Sequence, residues 1–153
     1  MISKENKIRI NANGNLENIT IGLLEGTTTE ELIKSKYPLA NIQYFQGVTG
    51  RLRGIQNFLQ GKIDTFASDG ILLIGEIIKQ EGIEPGLFLT NYSLVPKVPL
   101  TCDYYGMIIP KNDPQWQNLV NSVIQSQEFK QVLRNWFGVL FDNKIIAEEF
   151  CQG

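Results

Sequence analysis

The stretch "GLLEGTTTEELI", residues 22–33, runs an apolar segment into one glycine, three threonines and two glutamates. A single hydroxyl is enough to cap a helix, because it accepts from one free backbone N–H of the first turn. Two hydroxyls are therefore left to explain. One reading is a capping box, for which Thr27 with Glu30 and Thr28 with Glu31 both have the spacing. The other is an anion cradle. A helix N-terminus offers free N–H groups and the positive end of the helix dipole, suited to a carboxylate or phosphate. Gly26 lets backbone approach a ligand closely, and extra hydroxyls direct further hydrogen bonds. The stretch lacks the lysine of a P-loop, so a nucleoside triphosphate is a poor match.

Asp69 raises the same question. It follows "KIDTFAS" and precedes "GILLIGEII", the place of an N-cap. If both segments leave the carboxyl ends of parallel strands, they fall close together, where open α/β sheets bind ligands. A hydroxyl-lined anion site beside a lone carboxylate suits a zwitterion, with the ligand's carboxylate at one and its ammonium at the other. A free α-amino acid has that chemistry. The nearby "GVTGRLRG", residues 47–54, is glycine-rich but has neither the Rossmann nor the Walker spacing. It reads as a βα turn with Arg51 and Arg53 in solvent.

The elements that would position these residues alternate along the chain. "ITIGLL" (19–24) reads as a strand and is followed by a helix from Thr28 to Lys36 that Pro38 stops. "NIQYF" (41–45) is a second strand, and "RLRGIQNFLQG" a helix with Leu52, Ile55 and Leu59 on one face and Gly61 closing it. "KIDTFAS" (62–68) is a third strand, and Asp69 caps a helix to about Glu81. Such an order predicts an open, mostly parallel sheet with helices on both faces, an α/β fold. "GLFLTNYSL" (86–94) is a candidate further strand, and "VPKVPLTCD" a connection, since it holds two prolines. "YYGMIIP" (104–110) reads as one more strand. Asp113 and Pro114 then start a helix, and Trp116, Leu119, Val120, Val123 and Ile124 follow at helical spacing. A second helix repeats the pattern through Phe129, Val132, Leu133, Trp136 and Phe137, with Gly138 at its end. Two strongly amphipathic helices need a surface of their own, so the chain divides into residues 1–103 and 104–153.

Composition narrows the chemistry. The 153 residues are 42% hydrophobic and 20% charged, in the range of one folded domain with a real core. The net charge of −2 comes from scattered residues of both signs, with no basic tract to neutralise a phosphate backbone, so nucleic acid is not an expected partner. Histidine is absent, which removes the commonest general base at neutral pH and the commonest zinc ligand; neither a metal nor another cofactor is expected. Cys102 and Cys151 form no CxxC pair, and their state is open. The opening "MISKENKIRINANGN" lacks the apolar core of a signal peptide.

Four segments, "ITIGLLEGTTTEELI", "GRLRGIQNFLQGKIDTFASDGILL", "YYGMIIPKNDPQWQNLVNSVI" and "VLRNWFG", together resemble, in order and spacing, the family-3 extracellular solute-binding proteins. These are the amino-acid-binding components of ABC transporters. Ligand-binding domains of ionotropic glutamate receptors share their plan, in which two α/β lobes close on the ligand like a clamp. The resemblance runs over residues 16 to 138. It implies a type 2 periplasmic-binding fold, with residues 1–103 as lobe 2, and residues 104–153 as a return hinge strand and C-terminal helices of a partial lobe 1. It also implies contacts residue by residue. Gly26, Thr27 and Thr28 match the loop that holds the ligand carboxylate, Thr29 and Leu24 match positions that line the pocket, and Asp69 matches the acid that binds the ammonium.

One departure carries weight. The first half of lobe 1, which in the family supplies an aromatic wall and a carboxylate-binding arginine, has no counterpart in this sequence, and Arg51 and Arg53 do not occupy that arginine's place. The expectation is weak binding or none by this chain alone, and apolar faces around Trp116 and Trp136 covered by the lobe-2 domain or by a second copy, as a homodimer that exchanges residues 104–153. The resemblance further implies a periplasmic or extracellular site and the transporter's membrane subunits as partners. Two other classes remain open on the sequence. One is a ligand-sensing domain of a receptor or channel. The other is an enzyme built on the same scaffold, such as a dehydratase or lytic transglycosylase, with Asp69 or Glu25 as its acid.

Overall fold

A computed structural model describes residues 1–4, 16–96, 100–103 and 106–142, with backbone alone at Ser3 and over 137–142. The chain forms two compact units, Met1–Lys97 and Val98–Gly153, against the 103/104 boundary drawn from helix content.

The first unit opens with a short strand, β1 (Ile2–Lys4), followed by β2 (Thr20–Leu24), helix α1 (Thr28–Lys36), β3 (Asn41–Phe45), α2 (Gly50–Leu59), β4 (Thr65–Ala67) and α3 (Gly70–Glu81). In β2 the consecutive residues Ile21, Gly22 and Leu23 are all buried, as are all three of β4. Unbroken burial rather than alternation marks strands covered on both faces. The pairing agrees. β2 lies between β3 and β4, parallel to both, with Leu24 opposite Phe45 and Leu23 opposite Ala67. Parallel neighbours require crossovers, and right-handed ones put α1 on one face and α2, which crosses back over β2, on the other. Helix α3 packs against α2. The unit is thus an α/β structure with a small parallel sheet flanked by helices.

Two departures from the sequence reading lie at its far edge. Residues 86–94 are not one strand. Pro85–Leu87 form a 3-10 turn with proline at its start, Phe88–Asn91 a single helical turn (α4), and only Tyr92–Leu94 extend, as β5. Its partner is β1, antiparallel, with Ile2 opposite Leu94 and Lys4 opposite Tyr92. The buried Thr65 hydroxyl donates to the Ile2 carbonyl at 2.5 Å, which ties β1 to β4.

Tyr92 anchors this edge. Its buried ring stacks on Phe88 with centroids 5.6 Å apart, and its hydroxyl donates to Glu81 Oε2 at 3.1 Å. Burial, reinforced by the Glu81 carboxylate, pushes its pKa up to about 12. A raised tyrosine pKa means that the folded state holds the proton more tightly than the unfolded chain, whose tyrosines titrate near ~10. The associated stability is complete below the unfolded value and is lost as pH rises through the folded one. Denaturant melts should therefore lose stability between roughly pH 10 and about 12, and Tyr92→Phe should flatten that loss while lowering stability at neutral pH.

The second unit holds α5 (Pro114–Gln125) and α6 (Gln127–Asp142), packed on each other. Asp113 caps α5 by accepting from the Trp116 N–H at 2.9 Å, and Ser126 accepts from the Phe129 N–H at 3.1 Å. Helix α6 continues through Gly138 instead of ending there. An interior glycine costs a helix about 1 kcal/mol relative to alanine and stops it only when it turns left-handed. The expected strand over 104–110 is not found across its described part. Residues 106–110 pair with no strand, and Met107 and Ile108 are exposed. Tyr104 and Tyr105 lie outside the described residues, as does Cys151. Cys102 is disulfide-bonded. Trp116, Leu119, Val123, Val132 and Trp136 are exposed. Among the described residues no helix is long and apolar enough to cross a membrane.

Candidate functional site

Three loops leave the carboxyl edge of the parallel sheet: Glu25–Thr27 after β2, Gln46–Thr49 after β3, and Ser68–Asp69 after β4. From β2 the chain turns into α1 on one face, and from the adjacent β4 into α3 on the face that α2 occupies. Neighbouring strands whose connections diverge in this way leave a crevice between them, the position at which open α/β sheets take ligands. The Gly26–Thr29 segment and Asp69 begin the connections that leave these two strands.

The capping box at α1 is the first of the two that the sequence permits. Thr27 Oγ1 accepts from the Glu30 N–H at 3.3 Å and donates to the Leu24 carbonyl at 2.8 Å. Glu30 returns to the Gly26 N–H at 2.7 Å, one residue earlier than in the usual box, because Gly26 takes a left-handed φ of 73° that turns its N–H inward. That N–H, with Lys34 at 3.3 Å, holds the Glu30 carboxyl below its ordinary range. Thr27 is therefore committed to the fold. Thr28, exposed, and Thr29, half-buried, occupy the first two helical positions, where N–H groups have no intrahelical acceptor. Neither hydroxyl has a hydrogen-bond partner among the described residues. Leu24 is half-buried, its carbonyl already accepting from Thr27 and its side chain turned toward Gly50.

Asp69 also divides its functions. Its Oδ1 accepts from the Ile71 and Leu72 N–H groups at 2.9 and 3.3 Å and so caps α3. Its Oδ2 accepts from no group among the described residues. The acid after β2, Glu25, is instead tied to the Gln46 side-chain amide.

Arg51 is where the sequence reading needs correction. Arg53 is exposed and donates to the Gln46 carbonyl at 2.6 Å, but Arg51 is half-buried and its Nε points to Ser68 Oγ at 3.4 Å. The cause is Gly50. A Cβ there would lie 2.8 Å from Leu24 Cδ2 and 3.4 Å from the Phe45 backbone, so the first turn of α2 sits directly on the strand ends, and a larger residue would have to displace the Leu24 side chain. A long side chain on that turn points back over its N-terminus, and Arg51 is thereby carried into the crevice. The available signal was a glycine-arginine pair opening a helix, too common to single out. Ser68, one residue before Asp69, gave none. The N-cap of α2, Thr49, makes no side-chain cap bond, so this helix end is open as well.

The crevice thus combines free N–H groups and hydroxyls at α1, one open carboxylate oxygen at β4 and one guanidinium from α2. Such a set has the chemistry to bind and orient a charged group. Among the described residues no cluster of histidine, cysteine, aspartate or glutamate has the geometry to hold a metal ion. No protein-family model matches the chain, and no curated protein matches it either.

Proposed function

We propose that the first unit holds a free, polar α-amino acid at the crevice between β2 and β4. The ligand carboxylate lies at the end of the Gly26–Thr29 loop, on Thr28 and Thr29, because Gly26 and Thr27 are engaged by Glu30 and Leu24, and its ammonium lies on Asp69 Oδ2, with Leu24 at the pocket's edge. The unit acts as one lobe of a type 2 periplasmic-binding fold in an extracellular solute-binding protein, whose partners are the membrane subunits of an ABC-type importer. The observation that carries this reading is the division of labour at the two helix ends. Thr27 and Asp69 Oδ1 satisfy the caps, while the Thr28 and Thr29 hydroxyls and Asp69 Oδ2 have no partner among the described residues, at helix starts that follow the adjacent strands β2 and β4. A disulfide at Cys102 fits an oxidising compartment outside the cytoplasm. The exposed faces around Trp116 and Trp136 supply the surface for a homodimer that exchanges residues 104–153.

The threonines give the test. Titration of the purified chain with the common amino acids, read by NMR shifts at millimolar ligand, should identify a binder whose affinity falls in Thr28→Ala and Thr29→Ala. Both variants should melt at or slightly above the parent temperature, because alanine is the better helix former. Thr27→Ala should instead lose about 1 kcal/mol of stability. Absence of any amino-acid response, or equal binding by the Thr28 and Thr29 variants, would refute the reading.

A further inference from the structure

The crevice holds two separate groups suited to an anion, where one α-carboxylate needs only one. The first is the open start of α1, with Thr28 and Thr29, on one face of the sheet. The second is Arg51, which comes from α2 on the opposite face. Its backbone is fixed, since Gly50 is buried against Leu24 and Phe45 at the ends of β2 and β3. From that point the side chain reaches across the end of β2 to Ser68, beyond β4. The guanidinium therefore lies over the crevice rather than on the outer surface of the helix.

Its contacts leave it incompletely used. Arginine offers five N–H donors, and among the described residues only Nε is engaged, to a neutral hydroxyl at the long distance of 3.4 Å. No carboxylate among the described residues pairs with it. Asp69, the residue after Ser68, is turned to the N-terminus of α3, Glu25 to Gln46, and Glu30 to Gly26 and Lys34. The fork of Nη groups, which can bind a carboxylate bidentately, has no partner among the described residues. Counted together, the carboxyl edge of the sheet offers two anion-binding groups, from helices on opposite faces, and one open carboxylate oxygen at Asp69. That pattern matches two carboxylates and one ammonium.

We propose that Arg51 sets the ligand class, pairing with a side-chain carboxylate so that the site selects a dicarboxylic α-amino acid, glutamate or aspartate. This inference rests on the amino-acid reading above. In it the α-carboxylate stays at α1, the ammonium at Asp69, and the distal carboxylate crosses the end of β2 to the guanidinium, with Ser68 orienting Nε.

The experiment is a titration with L-glutamate, L-aspartate and L-glutamine, followed by NMR shifts and calorimetry, on the parent chain, Arg51→Gln and Arg51→Lys, with thermal melts to establish that each is folded. The parent chain should prefer an acid to glutamine by about tenfold or more, the scale of a charge-assisted bidentate pair. Arg51→Gln should erase that preference by weakening the acid alone and leaving glutamine binding where it was. Arg51→Lys, which keeps the charge and loses the fork, should fall between. Equal affinity for glutamine and the acids, or a stronger response to a neutral amino acid, would overturn the proposal. So would equal weakening of both ligands in Arg51→Gln, which would assign Arg51 to the α-carboxylate and leave the amino-acid reading standing. Silence toward these three and all other amino acids would overturn both.

Discussion

Gly54→Leu is expected to abolish the cooperative unfolding transition of the first unit, and Gly54→Ala to lower its melting temperature. A Cβ on Gly54 would lie 2.1 Å from Phe66 Cε2, with Cδ2 and Cζ at 2.6 and 2.7 Å. Phe66 has no room to yield. It is fully buried in β4, its ring meets Phe45 edge-on with centroids 5.7 Å apart, and a Cβ on Gly22 would also stand 2.6 Å from its Cδ2. Helix α2 must then lift off the sheet. For alanine two effects compete. Helix propensity favours it by up to about 1 kcal/mol, while overpacking a tight core costs about 1–3 kcal/mol, and a contact this short puts the cost at the upper end. For leucine the whole side chain must be placed, against a total stability of only about 5–15 kcal/mol for an ordinary domain. The cause can be isolated by a cycle. Phe66→Ala alone should cost about 3–5 kcal/mol. In that background Gly54→Ala should become neutral or stabilising, because the ring it collides with is gone. Stabilisation by Gly54→Ala in the parent chain would refute the packing argument.

Those glycines also explain what could be read from the sequence. Local signals set the bounds of α1 (Thr28–Lys36) and the caps at Asp69 and Asp113, since each depends on residues within one turn. Strand β3 was equally legible between its polar ends. β1 was not, because three residues become a strand only through a partner at Tyr92–Leu94, far along the chain. The reverse error came at residues 106–110, which are apolar enough for a strand but find nothing to pair with among the described residues. At the site, the Gly26–Thr29 loop and Asp69 stood out because hydroxyls and an acid at helix starts have few uses. Arg51 did not, since an arginine near a helix start is usually solvated. Its burial depends on a close approach of helix to strand that Gly50 permits and that no spacing rule encodes.

The largest effect on binding should come from Asp69, and two substitutions separate its functions. Asparagine is as good an N-cap as aspartate. Asp69→Asn should therefore keep its Oδ1 bonds to Ile71 and Leu72 and melt like the parent. It removes only the charge at Oδ2, the atom with no protein partner among the described residues. A hydrogen bond to a charged group contributes about 1.5–3 kcal/mol, so amino-acid affinity should fall by roughly ten- to hundredfold, beyond detection for a weak site. Asp69→Ala should lose binding to the same degree and, in addition, about 1 kcal/mol of stability with the cap. Calorimetry and thermal melts on the pair distinguish the outcomes. Binding retained by Asp69→Asn would reduce the residue to a cap and remove the ammonium anchor from the proposed function. Binding lost with stability kept would mean that the charge is there for a ligand, since a neutral residue would have closed the helix equally well.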